Sequence, residues 1–460
     1  MGLKEILLNL PEVAAPTEKR LPFKEKLKWT FAVLLTFYIL GLIPIFGLGV
    51  NSLARFQFLS LILGAEFGSI ISLGIGPIVT ASILLQLLNG SGILKFDLTK
   101  PEGKRFFQGL QKGLAIAFVV FEALVYVFTG GLAPAPGISP FLIVFQLCLG
   151  GMLILFMDEI VSKWGFGQGV SLFIAAGVSK ELIVRLLSPL SQSGGLAFTT
   201  GEAPIGAIPA IFYFFTAGDL REVGFYLVSI LATLLVFAMA VFAQSMKVEV
   251  PLSFGRVRGH GIRWPLSFLY TSNIPVILTA ALLANVQLWS QLLGSRGITF
   301  LGTLDPSGVG STGFVSFLSS PNITRSIFQG IAQPTDFVRA LTYAAFLIAG
   351  SVLFSVFWVK TAGMDARSQA NNMMKYGLQI PGFRRDERVL ESLLNRYIPA
   401  LTVLGGISIG FLAAIADLSG TLTSGTGLLL AVMIIYKLYE EIAQQHALDM
   451  NPMLRKFIEK

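Results

Sequence analysis

Side chains that could do chemistry are few in this chain of 460 residues. Glu122 is the one acid well inside an apolar stretch; Asp158, Glu159 and Asp417 sit at stretch ends. A single buried carboxylate can carry a proton, but ion-coupled carriers bury several acids, histidines or bases as relays. His260 and His446 lie far apart in polar segments, and Cys148 is the single cysteine. Neither a metal site nor a disulfide is therefore expected. No Walker loop, His-Glu-x-x-His or Gly-x-Ser-x-Gly pattern occurs, so an enzyme is not expected either. Gly165-Phe166-Gly167-Gln168-Gly169 has glycines spaced like a dinucleotide loop, yet it follows an apolar run and not a strand.

What the chain does place at membrane depth is aliphatic. Ile75-Gly76-Pro77-Ile78-Val79-Thr80 sets a glycine-flanked proline at the opening of one stretch. Ile75 and Val79 are spaced i, i+4 and point the same way. Asn273-Ile274-Pro275-Val276-Ile277 opens another stretch in the second half of the chain. Breaks at matching places in two halves of a membrane protein point to its pathway.

The elements that position these residues are membrane spans. Hydrophobic residues make up 54% of the chain and charged ones 13%, against about 25% charged in soluble domains. Uncharged apolar runs fall at 29–48, 70–90, 113–129, 140–157, 165–179, 225–244, 265–293, 340–359, 397–416 and 419–436. A span takes about 20 residues at about 1.5 Å rise each. The runs at 165 and 419 are short or interrupted by glycine. The fold expected is all-α, a polytopic membrane protein of about ten transmembrane helices.

With the amino terminus in the cytoplasm, 27 of the 34 Lys and Arg residues fall on that side. The seven outside are Arg55, Lys180, Arg185, Arg221, Arg296, Arg325 and Arg339. The positive-inside rule thus places both termini in the cytoplasm. All five tryptophans fall at expected span ends, as in an interfacial aromatic belt. Residues 1–28 lack the apolar core and small-residue cleavage site of a signal peptide and read as an amphipathic cytoplasmic lead-in.

Five spans, in 29–190, precede an external connection at 191–224, and five follow in 225–460. An odd number per half requires any internal repeat to be inverted across the membrane. Two traces of one exist. Pro77 precedes Val79 as Pro275 precedes Ile277, and Gly167-Gln168-Gly169 is matched by Gly425-Thr426-Gly427. Between the first two spans, Arg55 to Leu63 is helical in pattern, ends at Gly64 and is about half a membrane long. Such a helix lies flat on the outer leaflet or folds back into the mouth of a pathway. Cytoplasmic loops 248–264, with Arg256, Arg258 and Arg263, and 360–396, with Arg384 and Arg385, concentrate positive charge. They read as ordinary positive-inside bias or as a docking platform for an anionic partner.

Several runs resemble the SecY family, the pore-forming subunit of the Sec protein-conducting channel. They are Leu73 through Leu88, Asp158-Glu159-Ile160, Trp164 through Leu172, Arg263-Trp264-Pro265, Ser272 through Leu278, and Ser424-Gly425-Thr426-Gly427. The match runs in order over nearly the whole chain. Asn371-Asn372-Met373-Met374 and Gly377 through Gly382 are similar to archaeal members. The resemblance implies two inverted five-helix halves and a pore ring of Ile75, Val79, Val170, Ile174, Ile277 and Leu430. It implies a plug helix at about 53–64, carrying Phe56, Phe58, Leu59, Leu61, Ile62 and Leu63. A polar cluster of Thr80, Glu122 and Asn285 would lie near the plug and a lateral gate between spans 2–3 and 7–8. Small SecE-type (gamma) and beta subunits, a ribosome at the basic loops, signal sequences, nascent polypeptides and lipid are the implied partners. The family's ring is mostly isoleucine; Val170 and Leu430 depart from it but stay aliphatic.

An aliphatic ring suits that expected function. A charged ring would select passengers by sign, and a polar one would hydrogen-bond the passing backbone. A narrow collar of branched hydrocarbon does neither and excludes water and ions by dewetting. No cofactor is implied, and the drive would come from a ribosome or another motor. The rival readings are a secondary transporter dependent on Glu122 and a lipid insertase or scaffold without a pore.

Overall fold

The computed structural model describes residues 10–17, 21–51, 53, 60–61, 63–90, 93–94, 96, 101–191, 195–254, 261–294, 297, 299–304, 310–321, 323–375, 378–379 and 386–450. Among these, ten helices carry the architecture. In the first half they are α1 (Phe23–Leu42), α2 (Gly76–Gly90), α3 (Pro101–Phe128), α4 (Pro140–Trp164) and α5 (Gly169–Leu187). In the second half they are α6 (Leu220–Ser245), α7 (Ile274–Gly294), α8 (Pro334–Thr361), α9 (Glu387–Leu418) and α10 (Gly425–Met450). Six of them, α3, α4, α6, α7, α8 and α9, are long and apolar enough to cross a membrane. The other four are shorter or carry charges within their length, such as Lys180, Glu181 and Arg185 in α5.

The two proline segments start helices and do not notch them. The stretch expected to run from 70 becomes helical only at Gly76, with Pro77 in the first turn. That from 265 becomes helical at Ile274, with Pro275 next. Proline suits a first turn because its fixed φ is already helical and its missing N–H has no intrahelical partner there. Residues 67–75 form a chain of turns in place of a helix. Irregular backbone inside a membrane protein survives only if its polar groups are satisfied. Here they are: Ile70 N–H donates to Ile43 O (3.0 Å), Gly68 N–H to Ser72 Oγ (2.8 Å) and Ile45 N–H to Gly68 O (2.9 Å).

The halves meet through the packing of α2 on α7 and α8 and of α5 on α10. Within the second half, α8 and α9 approach so closely that a Cβ on Gly410 would lie 2.7 Å from Ile348 Cα. Small residues at such a seam let membrane helices gain van der Waals contact. One continuous apolar core runs through α1–α7, α8, α9 and α10.

The start of α1 and the later part of α10 meet on one side. Gln445 Nε2 donates to Leu21 O (2.8 Å), and the rings of Phe23 and His446 lie 5.5 Å apart. Residues 11–14 strap the adjacent ends of α3 and α4 on that side. Lys163 Nζ reaches Glu12 Oε1 (2.5 Å), Val13 N–H donates to Glu159 Oε2 (2.9 Å), and Trp164 Nε1 donates to Ala14 O (2.8 Å). The Lys163 hydrogen bond holds the Glu12 carboxyl below its usual range. Beneath the strap Lys112 pairs with Glu159.

The segment expected as a basic loop at 248–264 is instead a hairpin. Strands Lys247–Phe254 and Gly261–Ser267 pair antiparallel, Lys247 opposite Ser267 and Ser253 opposite Gly261. A two-residue strand, Leu378–Gln379, adds to the Ser253 end, so the two basic segments join in one small sheet. Its inner face, with Val250 and Leu266, packs on α9 through a second apolar cluster that includes Leu390 and Leu394. Arg263 is exposed and paired with Glu249 (2.8 Å). Arg256, Arg258, Arg384 and Arg385 lie outside the described residues.

Candidate functional site

The six expected ring residues share one structural position. Ile75 immediately precedes α2 and Val79 is in its first turn; Val170 and Ile174 open α5; Ile277 is in the first turn of α7; Leu430 follows the first turn of α10. Ile75, Val79, Ile174, Ile277 and Leu430 are buried in the continuous core, and Val170 is half-buried against it. Helix starts meet here because the chain reaches this depth as turns or loops.

Close approaches tie three of the four helices together. A Cβ on Gly64 would lie 3.5 Å from Phe173 Cβ on α5 and 3.8 Å from Ile75 Cγ2. Gly427 of α10 faces Val178 of α5, its added Cβ falling 3.2 Å from Val178 Cγ2. One turn on from Gly427, Leu430 is buried in the same apolar core as Ile174. Ile277 shares the core, but the hydrogen bond between α7 and α2 is made elsewhere, at Asn285.

Of the expected plug, Leu61 and Leu63 are described and buried, while Phe56, Phe58, Leu59 and Ile62 lie outside the described residues. Ser60 and Leu61 are helical, and the chain then loops back through Gly64, with Ala65 N–H donating to Ser60 O (2.8 Å). Leu63 O accepts from Ile75 N–H (2.7 Å), so the loop is seated directly on the ring residue. This contact requires glycine at 74: φ is +55°, and a Cβ would lie 2.1 Å from Leu63 O.

The other side of the loop faces a cavity of about 1120 Å³, lined by Ser60, Leu61 and Gly64 together with Lys180, Arg185 and Arg325. Three of the seven basic residues assigned to the outer side thus converge. Lys180 pairs with Glu66 (2.5 Å), Arg185 with Glu181 (2.5 Å), and Arg325 lies over the Phe225 ring (5.6 Å). The Lys180–Glu66 pair links α5 to the residue after the loop. Charge alone did not reveal it, because the partners are far apart in sequence.

Thr80, Glu122 and Asn285 do come together, one from each of α2, α3 and α7. Thr80 Oγ1 lies 3.3 Å from Glu122 Oε1, and Asn285 Nδ2 donates to Thr80 Oγ1 (3.3 Å). Thr80 Oγ1 is also 2.8 Å from Gly76 O in its own helix. Glu122 is buried, with Gly76 close to its other oxygen. Nearby on the same seam Phe121 of α3 meets Trp289 of α7, ring centroids 5.9 Å apart.

One device escaped sequence reasoning. Asp158, near the end of α4, accepts from the Val170 N–H at the start of α5 (2.9 Å). Asp417, at the end of α9, accepts from the Thr426 N–H at the start of α10 (2.7 Å) and from Tyr343 Oη (2.5 Å). A carboxylate on one helix satisfies the free amides opening the next, in each half. The two caps lie on opposite sides, Asp158 near Thr30 and the strap, Asp417 near the cavity wall at Gly420 and Thr324. The signal available was an acid closing one span shortly before Gly-x-Gly opens the next.

The SecY family model matches residues 69–439. The chain belongs to the SecY family. The protein translocase subunit SecY of Methanothermobacter thermautotrophicus is 47% identical over 98% of this chain and 96% of that relative. Two solved structures superpose with TM-scores of 0.83 at 39% identity, each covering 98% of this chain and 99% of the other. One is described as a protein conducting channel; the other concerns a SecY plug domain that stabilises the closed channel and maintains a membrane seal. Canine Sec61 in the ribosome–channel complex of the endoplasmic reticulum has a TM-score of 0.80 at 38% identity, covering 98% and 99%. As a SecY-family chain, this is a multi-pass membrane protein.

Proposed function

We propose that this chain is the central subunit of a protein-conducting channel, passing unfolded polypeptides across the membrane and releasing apolar segments sideways into lipid. The observation that carries this is the loop at 60–65, seated between the aliphatic ring residue Ile75 and a charged water-accessible cavity. A removable seat over a greasy neck closes the path to ions without holding a threaded chain. Ile75, Val79, Val170, Ile174, Ile277 and Leu430 form the ring, and Leu61 and Leu63 anchor the plug from its carboxyl end. Thr80, Glu122 and Asn285 join α2 and α3 to α7, and breaking these bonds opens the side of the channel. A run of apolar residues is needed to partition there, since each Leu, Ile or Phe gains only about 0.3–0.6 kcal/mol.

The protein lies in the plasma membrane with both termini cytoplasmic, a side set by the basic residues. The hairpin sheet, with Arg263 and the neighbouring basic residues, takes the ribosome, and small SecE-type and beta subunits complete the channel. The chain acts passively, with the drive supplied by its partner.

The test is a stalled nascent chain carrying a cross-linker, with single cysteines at positions 79, 174 and 277 in a Cys148→Ser background. Adducts at all three are expected. Adducts at none, with saturable gradient-coupled solute uptake lost in Glu122→Gln, would establish the transporter instead.

A further inference from the structure

The connection between α5 and α6 carries a helix whose pattern is the reverse of a water-facing one. Residues Ala207–Ala217 form this helix, Ala-Ile-Pro-Ala-Ile-Phe-Tyr-Phe-Phe-Thr-Ala. Its buried positions are the small Ala207 and Ala210, which let it sit close on α5 and α6. Its exposed stripe is Ile208, Phe212 and Phe215, spaced i, i+4, i+7, with the two phenylalanines 65% and 66% exposed. No charged residue occurs between Glu202 and Asp219. At 11 residues the helix is about 16 Å long, too short to span. Gly218 N–H closes its carboxyl end on Phe215 O, and its one phenol, Tyr213 Oη, donates to Gly201 O (2.8 Å) of the preceding turn.

The helix packs against α6, which also exposes apolar side chains, Leu220, Leu227, Leu231 and Leu234, and is long and apolar enough to cross a membrane. An exposed apolar face beside such a span, on a helix that cannot itself span, fits the headgroup–acyl boundary of one leaflet. We infer that Ala207–Ala217 is an interfacial anchor that inserts Ile208, Phe212 and Phe215 into the leaflet on the α5–α6 side. The occupant of this face is lipid. The anchor holds the chain crossing between the two halves at a set membrane depth.

Spin labels test this in the full chain reconstituted in phosphatidylcholine–phosphatidylglycerol vesicles. Phe212→Cys and Phe215→Cys are placed in a Cys148→Ser background, with Leu231→Cys as the lipid reference and Glu202→Cys as the aqueous one. Oxygen collisions at 212 and 215 should exceed those of a water-soluble nickel chelate at least severalfold, near the ratio at 231. A chelate-dominated ratio near that at 202, or suppression of both relaxants by protein cover, would overturn the proposal. A second measurement needs no substitution: lipids with a diazirine on the acyl chain, photolysed around the wild-type protein. Adducts on residues 204–218 are expected, and their absence alongside labelled α6 would refute it.

Discussion

Ile75 donates its backbone N–H to the carbonyl of Leu63, 2.7 Å away, and so ties a residue of the proposed ring to the end of the proposed plug. Leu63 itself is buried, with Gly76 beside it. Opening the channel along this route must break that hydrogen bond and expose that leucine.

Leu63→Ala is therefore expected to favour the open state. Truncating a buried leucine costs about 2–5 kcal/mol, so the closed-to-open ratio should fall by at least roughly tenfold. Resting ion conductance in planar bilayers should rise while the protein still purifies folded. Unchanged conductance would remove Leu63 from the seal.

Ile75→Asn with Ile277→Asn wets the neck and should raise ion leakage and relax discrimination against weak signal sequences. Dewetting depends on an unbroken apolar collar, so Ile75→Leu should leave conductance near the wild-type level. Equal leakage in both variants would show that packing volume, not polarity, makes the barrier.

The Thr80–Glu122–Asn285 cluster should set the stringency of lateral opening. Interhelical hydrogen bonds in membranes average about 0.6 kcal/mol, roughly a threefold effect. Thr80→Ala and Asn285→Ala should each increase translocation of a weak signal sequence by about that factor. Because the two share one bond, the double variant should fall short of the product. Full multiplicativity would mean that they act separately.

The twin caps separate acceptor from charge. Asp158→Asn keeps an oxygen for the Val170 N–H, whereas Asp158→Ala leaves it unmet at a cost of about 1 kcal/mol. Asp417→Ala should cost more, since Tyr343 and Thr426 also donate to that carboxylate. Thermal unfolding of the purified protein should rank wild type above Asp158→Asn, then Asp158→Ala, then Asp417→Ala. A reversed order for the alanine variants would contradict the donor count.

Charge reversal at Arg256, Arg258, Arg384 and Arg385 should abolish ribosome cosedimentation, and wild-type binding should weaken steeply with salt as phosphate contacts require. Salt-insensitive binding would place the docking elsewhere.

Much of this molecule was legible in one dimension. Apolar runs gave the long helices because hydrocarbon thickness sets their length. The proline segments marked helix starts because proline cannot donate an N–H. Thr80, Glu122 and Asn285 were found through family likeness, since nothing in their spacing links positions 42 and 205 residues apart. The hairpin at 247–267 was missed because charge density dominated its reading, although Val248, Val250 and Ile262 alternate with polar neighbours.

The sequence by itself determined that this chain is a multi-pass membrane protein and where its apolar helices run. Those are properties of composition and local period, which every segment carries alone. Only the tertiary structure decided that Leu63 sits on Ile75, that Lys180 meets Glu66, and that in each half a carboxylate of one helix caps the opening of the next. Such contacts depend on where distant helices cross, and that is settled by packing among all of them together.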